Sequence, residues 1–408
     1  MKVSDVDPAK AVGETKLHPQ DWVLLPLLSV LTVALMMVSL EFLAKWTYPE
    51  AGSLFVGACM VRSPTGGLEG IPHSVCWEKG AEGKLTEYRF NNCGHRMDVD
   101  CGPEQPGTFR IVMTGSSYGF GYMVSKEDTF AALLPVDLSH RTGRAVDLYN
   151  VSMAGRFPPE ADTLFHEVMA AKPDMVLWEI APADIRNAIP EATAQDASPP
   201  GKRASSSDAA SLQIVIQHML SKSAPGLWRH AEGWQDHISI MLRGFLYRAE
   251  SPDQYVASYL RNGDQDAGFL KSDLSHQWEE RLKYFDGYAA DMAAQTRAAG
   301  IPFVVVFLPN RAQAMMISMG DWPAGYDPYG MDKQLRSIIV SHGGVYLDLL
   351  PKFRAFASPE RYYFPVDGHP TPQGHAVISE LIAGALTSDD VLTLRSTSPT
   401  RVTWKQDK

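Results

Sequence analysis

The chain has 408 residues, long for one ordinary domain of about 100–200 residues, although α/β domains reach larger sizes. Apolar residues make up 45% of it, ample for a sizeable core. A formal net charge of -10 with no basic block argues against nucleic acid as a partner.

The first twenty residues are polar. Trp22 to Leu40 then runs without a charge. A helix over that run spans about 28 Å, close to the roughly 30 Å hydrocarbon core of a bilayer. Pro26 falls in its first turns, where proline disturbs little. Trp22 and Trp46 are spaced like interfacial anchors. The rival reading is a cleaved signal peptide. The run exceeds a usual apolar signal core and no small-x-small site follows it, so an uncleaved single-pass anchor is expected. Lys2, Lys10 and Lys16 precede the span, against Lys45 and Arg62 after it, which favours a cytoplasmic N-terminus.

All four cysteines, Cys59, Cys76, Cys93 and Cys101, follow the span closely. Even-numbered, clustered cysteines in a non-cytosolic segment read as two disulfides, with three pairings open. Zinc is the alternative, but no CxxC pair exists and the spacings are irregular. No metal site and no cofactor are expected. The Gly-, Pro- and Cys-rich stretch from Ala51 to Gly107 reads as a stapled, loop-rich collar between membrane and domain.

From there strands and helices alternate. Ile111-Val-Met113 is a buried strand that ends in the turn Gly115-Ser-Ser117, and a helix follows from Asp128. Ala145–Val151 is a second strand, Met153-Ala-Gly155 a turn, and Pro158–Ala171 a helix opened by prolines. Met175–Ile180 is a third strand. A Ser-, Pro- and Ala-rich loop over Ala194–Ser211 interrupts the pattern. Ile238, Met241, Leu242, Phe245 and Leu246 then follow at helical spacing, behind Trp228 and Trp234. Such a stripe is usually an ordinary packed face; a cap or partner-binding helix is the other reading. A helix over Ser275–Ala299, a strand over Pro302–Leu308, a helix over Asp332–Ser341 and a strand at Val345–Leu349 resume the alternation. The last helix opens at Thr371-Pro372 and carries Val377, Ile378, Leu381, Ile382 and Leu386 on one face. The repeat predicts an α/β fold: a parallel sheet of about five strands with helices on both faces.

Two stretches carry chemistry. Ser117 sits on a strand-to-helix turn, where open α/β sheets place their ligands. Near the far end lies Val366-Asp-Gly-His-Pro370. There Asp367 can accept a ring proton from His369, and His369 can take a proton from a serine hydroxyl. Either stretch alone has a plainer reading as solvated loop.

Together they resemble the SGNH (GDSL-like) hydrolases. Gly115-Ser-Ser-Tyr-Gly-Phe-Gly121 resembles the first block, Gly-Asp-Ser-x-x-x-Gly, with Ser116 for the Asp and Ser117 at the nucleophile. Tyr149-Asn-Val-Ser-Met-Ala-Gly155 resembles the second, with Gly155 at the oxyanion-hole glycine. Asp367-Gly-His369-Pro with Gly374-His375 resembles the last. Tyr88–Arg96 resembles the Asn-x-x-Gly-x-Arg lead-in of extracytoplasmic members. The third block, usually Gly-x-Asn-Asp, is here Ala181-Pro-Ala-Asp184, which puts Ala183 where an oxyanion Asn stands. Asn187 or the Ser117 backbone N–H would have to compensate. The acid stands two residues before the His rather than three, a form found among polysaccharide O-acetylation relatives.

The resemblance implies a three-layer α/β/α, flavodoxin-like domain over residues 108–390 with an insertion at about 190–272. Residues 1–20 would be a cytoplasmic tail, 21–46 the anchor, 47–107 the collar and 391–408 a polar tail. It implies a serine esterase or O-acyltransferase using Ser117, His369 and Asp367, with the Ser117 N–H and Gly155 as oxyanion hole. Its partners would be an acylated carbohydrate or acyl donor, the inner membrane, and a multi-spanning membrane acyltransferase. The domain would face the periplasm or exterior. The competing class is a non-catalytic binding or assembly subunit on the same fold, favoured by Ala183.

Overall fold

The computed structural model describes residues 20–47, 59–62, 68–78, 82–102, 107–190 and 242–388. The Ala194–Ser211 loop, Trp228, Trp234, Ile238, Met241 and the polar tail lie outside these residues. The chain divides into two compact units. The first, Met1–Glu50 with Arg203–Asp236, contains one described element, helix α1 (Asp21–Thr47). Its apolar window, Trp22–Ser39, has a mean hydropathy of 2.2, and none of it is buried in protein. Two hydroxyls within it are satisfied locally: Ser29 donates to the Leu25 carbonyl and Thr32 to that of Leu28, both at 2.8 Å. Such bonding to the preceding turn lets hydroxyls sit on an apolar helix. An anchor and a signal sequence share these features, and both belong to the secretory route, as the disulfides do.

The second unit holds the other described elements. Its collar contains two antiparallel hairpins, β1 (Met60–Arg62) with β2 (Leu68–Gly70) and β3 (Val75–Glu78) with β4 (Thr86–Arg89). Disulfides join Cys59 to Cys76 and Cys93 to Cys101. No cysteine is free, so none is available as a thiolate ligand for zinc. The collar is more than a spacer. Tyr88 and Phe90 stack on Phe120 of the α/β domain at ring distances of 5.6 and 6.2 Å, and Met153 closes the same apolar cluster.

The central sheet comprises β5 (Phe109–Thr114), β6 (Val146–Asn150), β7 (Met175–Ile180), β8 (Phe303–Phe307) and β9 (Val345–Leu347), all parallel, in the order β6-β5-β7-β8-β9. Residues of β5, β7 and β8 are buried throughout, which is why they read as unbroken apolar runs. Alternate residues nonetheless serve opposite faces. Ile111, Met113, Leu177, Val304 and Val306 meet α3 (Phe130–Thr142) and α12 (Pro372–Leu386). Val112, Val176, Trp178 and Val305 meet α5 (Phe165–Ala170), α9 (His276–Ala298), α10 (Arg311–Met319) and α11 (Gly330–Ser341). Strand order reverses at β5, and the turn after β5 therefore opens into a crevice at the carboxyl edge.

Some boundaries differ from expectation for local reasons. Helix α3 starts at Phe130, because the Thr129 hydroxyl caps it by accepting the Ala132 N–H. The Pro158–Ala171 helix is two pieces, α4 (Pro158–Thr163) and α5, broken at the buried Leu164. Helix α8 (Pro252–Leu260), with its Ser251/Gln254 capping box, and α10, capped by Asn310, were not read from the sequence. The helix over 242–249, α7, corrects the packed-stripe expectation: Leu242, Phe245 and Leu246 are exposed, Phe245 by 71%.

Candidate active site

Strand β5 ends at Thr114, Gly115 turns the chain, and Ser117 opens the short helix α2 (Ser117–Phe120). Glycine is required on this turn by what lies beneath it. A Cβ on Gly115 would sit 2.5 Å from Glu179 Oε2, and one on Gly119 would sit 2.5 Å from Ser152 Oγ. The turn thus rides on polar atoms held by β7 and by the segment after β6.

The Asp367–His369 loop comes from the opposite end of the chain. A bridge between Tyr363 and Pro370 closes it, the Phe364 N–H donates to the His369 carbonyl at 2.8 Å, and Gly368 takes a φ of +85° at its tip. His369 Nδ1 lies 2.5 Å from Asp367 Oδ1, and its backbone N–H donates to the same oxygen at 3.1 Å. His369 Nε2 lies 2.7 Å from Ser117 Oγ. The imidazole is flanked by the rings of Tyr118 and Tyr122, at 5.4 and 5.1 Å, and the Tyr118 hydroxyl donates to the Gly368 carbonyl. The three predicted residues therefore meet in one hydrogen-bonded line, oriented for the serine proton to pass to Nε2.

Burial alone would raise the Asp367 carboxyl. The His369 ring hydrogen bond, the His369 charge and the His369 N–H together outweigh it and hold Asp367 below the ordinary carboxylate value. His375 behaves differently. Fully buried and stacked on Phe130, it accepts the Phe130 N–H through Nδ1, and burial drives its pKa down to about 3. It is a neutral packing residue.

An acidic pair beneath the Ser117 turn was not assigned any role from the sequence. Glu179 and Asp184 are both buried under the nucleophile turn. Glu179 accepts the Gly119 N–H at 2.9 Å, and the Ser116 N–H also bonds to it. Asp184 accepts the Ala181 N–H at 2.6 Å and bonds the Ser116 side chain. Burial raises both carboxyls, and the Asp184 charge raises Glu179 further. The available signal was a charged residue inside the otherwise apolar strand Met175–Ile180, a type rarely buried without purpose.

Ser117 and His369 open into a cavity of about 330 Å³ that Ala183, Arg186, Trp278 and Asn310 also line. Gly155 does not line it: it sits in the turn after β6 with a φ of +76°, and the nearest side chain to it is Leu68. Asn187 does not line it either, since its amide donates to the Ala183 carbonyl at 2.7 Å. Ala183 itself faces the cavity and brings no donor. Neither Gly155 nor Asn187, the two expected oxyanion donors besides Ser117, is among the residues that line this cavity.

No sequence-family model and no curated protein sequence matches this chain. Solved structures do. The lipase/acylhydrolase from Enterococcus faecalis matches at 12% identity and a TM-score of 0.36, over 68% of this chain and 95% of that one. The acetyl xylan esterase AlAXEase matches at 11% and 0.37, over 68% and 100%. The psychrotrophic esterase EstA from Pseudoalteromonas sp. matches at 11% and 0.32, over 68% and 96%. At such scores these likenesses carry no weight for chemistry, which rests on the distances within this chain.

Proposed function

We propose that this chain is an SGNH-type serine esterase or O-acyltransferase, anchored by α1 in the inner membrane with its α/β domain in the periplasm or outside the cell. The observation that carries the reading is the line Ser117 Oγ to His369 Nε2 at 2.7 Å and His369 Nδ1 to Asp367 Oδ1 at 2.5 Å, at the carboxyl edge of a parallel sheet. Ser117 Oγ attacks the carbonyl carbon of an acyl ester while Nε2 takes its proton. The same proton passes to the departing alkoxide oxygen, leaving an acyl-enzyme and a free hydroxyl. Water or a sugar hydroxyl, deprotonated by His369, then attacks the acyl carbon and frees Ser117. Asp367 holds the ring in the tautomer that presents Nε2 to the serine. The Ser117 N–H is the oxyanion donor this scheme retains.

The substrate class, by analogy with relatives of this motif order, is an acetyl ester of an envelope or exopolysaccharide, with a multi-spanning membrane acyltransferase as working partner. Incubating the full chain with a fluorophosphonate and mapping the adduct by mass spectrometry tests the reading. Labelling at Ser117, with acetyl release from a nitrophenyl acetate, is expected. An unlabelled wild-type protein whose Ser117→Ala variant still complements a deletion strain would instead favour the binding-subunit reading, which Ala183 in the cavity wall supports.

A further inference from the structure

The collar contributes side chains to both halves of the candidate triad. Glu82, half-buried just before β4, accepts the backbone N–H of Asp367 at 2.7 Å and that of Val366 at 3.1 Å. Those two N–H groups belong to the loop that carries Asp367 and His369. Arg96, buried in the loop closed by the Cys93–Cys101 disulfide, reaches the other half. Its guanidinium donates to the carbonyls of Phe120 at 2.9 Å, Gly121 at 2.6 Å and Val124 at 2.7 Å. These are the end of helix α2 and the turn beyond it, so Arg96 caps the helix that Ser117 opens. The Arg96 guanidinium is held flat against the Tyr88 ring at 4.2 Å, and the Tyr88 hydroxyl accepts the Met123 N–H at 2.8 Å. A third contact joins the two halves. Glu78 of β3 accepts the Tyr122 hydroxyl at 2.8 Å, and the Tyr122 ring packs on His369.

We propose that the collar is a positioning element of the catalytic machinery: Glu82 fixes the Asp367–His369 loop, Arg96 fixes the Ser117 helix, and the two halves reach hydrogen-bonding distance only when the collar is folded between them. The proposal rests on the serine-esterase reading for its consequences in turnover. The geometric reason is the origin of the partners. Ser117 and His369 are 252 residues apart and belong to separate short elements, helix α2 and the Gly368 loop, and a collar side chain bonds the backbone of each. A carboxylate accepting from two adjacent N–H groups and a guanidinium fork donating to three carbonyls are both charge-assisted contacts, stronger than neutral ones.

The test uses the full chain and three readouts: kcat and KM on a nitrophenyl acetate, the rate of fluorophosphonate labelling at Ser117, and amide hydrogen exchange over 364–371 and 117–124. Glu82→Ala is expected to lower kcat and labelling about 10- to 100-fold, the scale of a misplaced catalytic group. KM stays unchanged, because Glu82 does not line the catalytic cavity. Exchange at Val366 and Asp367 speeds up. Glu82→Gln, which keeps one carbonyl acceptor, falls between wild type and Glu82→Ala in each readout. Arg96→Lys, which cannot serve three carbonyls as a fork, lowers kcat with faster exchange over 117–124. Arg89→Gln, on the exposed face of the same hairpin and paired only locally with Glu87, serves as the control and changes nothing. A folded Glu82→Ala protein with wild-type kcat and wild-type exchange at Val366 and Asp367 overturns the proposal. Should wild type neither turn over ester nor label at Ser117, the esterase reading fails separately. Exchange alone then decides: lost protection in Glu82→Ala upholds the collar's hold on the loop, and unchanged protection overturns it.

Discussion

Carboxyls flank Ser117 on two sides, Asp367 on one and the Glu179–Asp184 pair on the other, and their surroundings drive them in opposite directions. Asp367 keeps 31% of its side chain exposed and accepts from the His369 ring and the His369 backbone N–H, so its carboxyl is held low. Glu179 and Asp184 lie under the same turn with no exposure worth the name, face each other as well as backbone N–H groups, and are both pushed up. The residue types are alike; hydrogen bonds from a histidine on one side and burial beside a like charge on the other separate them. The lowered carboxyl is suited to orienting a base, and the buried pair to holding a turn in place.

The largest effects should come from the line itself. Ser117→Ala is expected to reduce ester turnover by roughly 10⁴- to 10⁶-fold, the range for loss of a nucleophile in such a unit. His369→Ala should be nearly as damaging, and the double variant no worse than either, because the residues act together. Turnover of a nitrophenyl acetate by the three proteins measures this; losses that multiply would show independent roles. Asp367→Asn should cost less, about 10⁴-fold at most, since the imidazole remains but loses its orienting acceptor.

The buried pair should matter through stability rather than chemistry. Glu179→Gln keeps an acceptor for the Gly119 N–H and should change turnover less than about tenfold, whereas Glu179→Ala leaves that N–H buried and unpaired, at a cost of about 1–3 kcal/mol. Melting curves of the two variants distinguish them. The pH dependence has a definite sign. A carboxyl raised in the folded state stabilises fully below the ordinary carboxylate range, and that contribution is lost as pH rises through the folded value. Asp184→Asn removes this loss, so its melting temperature should improve relative to wild type as pH rises from about 4 toward neutrality. Asp367, being lowered, has the reverse sign: its contribution is present above the ordinary carboxylate range and disappears as pH falls through the lower folded value. Asp367→Asn should therefore lag wild type near neutrality and approach it in acid.

One expected change is a gain. Ala183 lines the cavity without offering a donor, and one oxyanion donor is commonly worth 10²- to 10³-fold in rate. Ala183→Asn should raise turnover of the small ester by about tenfold, less than the full value because the amide enters a wall shaped for a methyl group. An unchanged kcat would mean that the oxyanion is already served elsewhere.

Much of this site was legible before any coordinates. Strands β5, β7 and β8 announce themselves as short apolar runs because burial on both faces removes the need for polar residues. The turn at Gly115-Ser-Ser117 and the Asp-x-His at 367–369 depend on neighbours within a few residues, and so does the Thr371 cap of α12. Local constraints of that kind are written in local order. Where the stripe over 242–249 was expected to pack, periodicity described a helix face correctly but held no information about what would cover it.

What tertiary structure alone decided is whatever needs two distant segments at once. The pairing of Cys59 with Cys76 and Cys93 with Cys101 was one of three that the sequence allowed equally. That Glu82 serves a loop 285 residues away and that Arg96 caps the helix of Ser117 follow from how the collar docks on the sheet edge. Composition and periodicity mark which surface of an element is apolar; only the order of strands and the course of the chain between them fix what stands opposite it, because hydrogen-bond partners are chosen by position in space and not by distance along the chain.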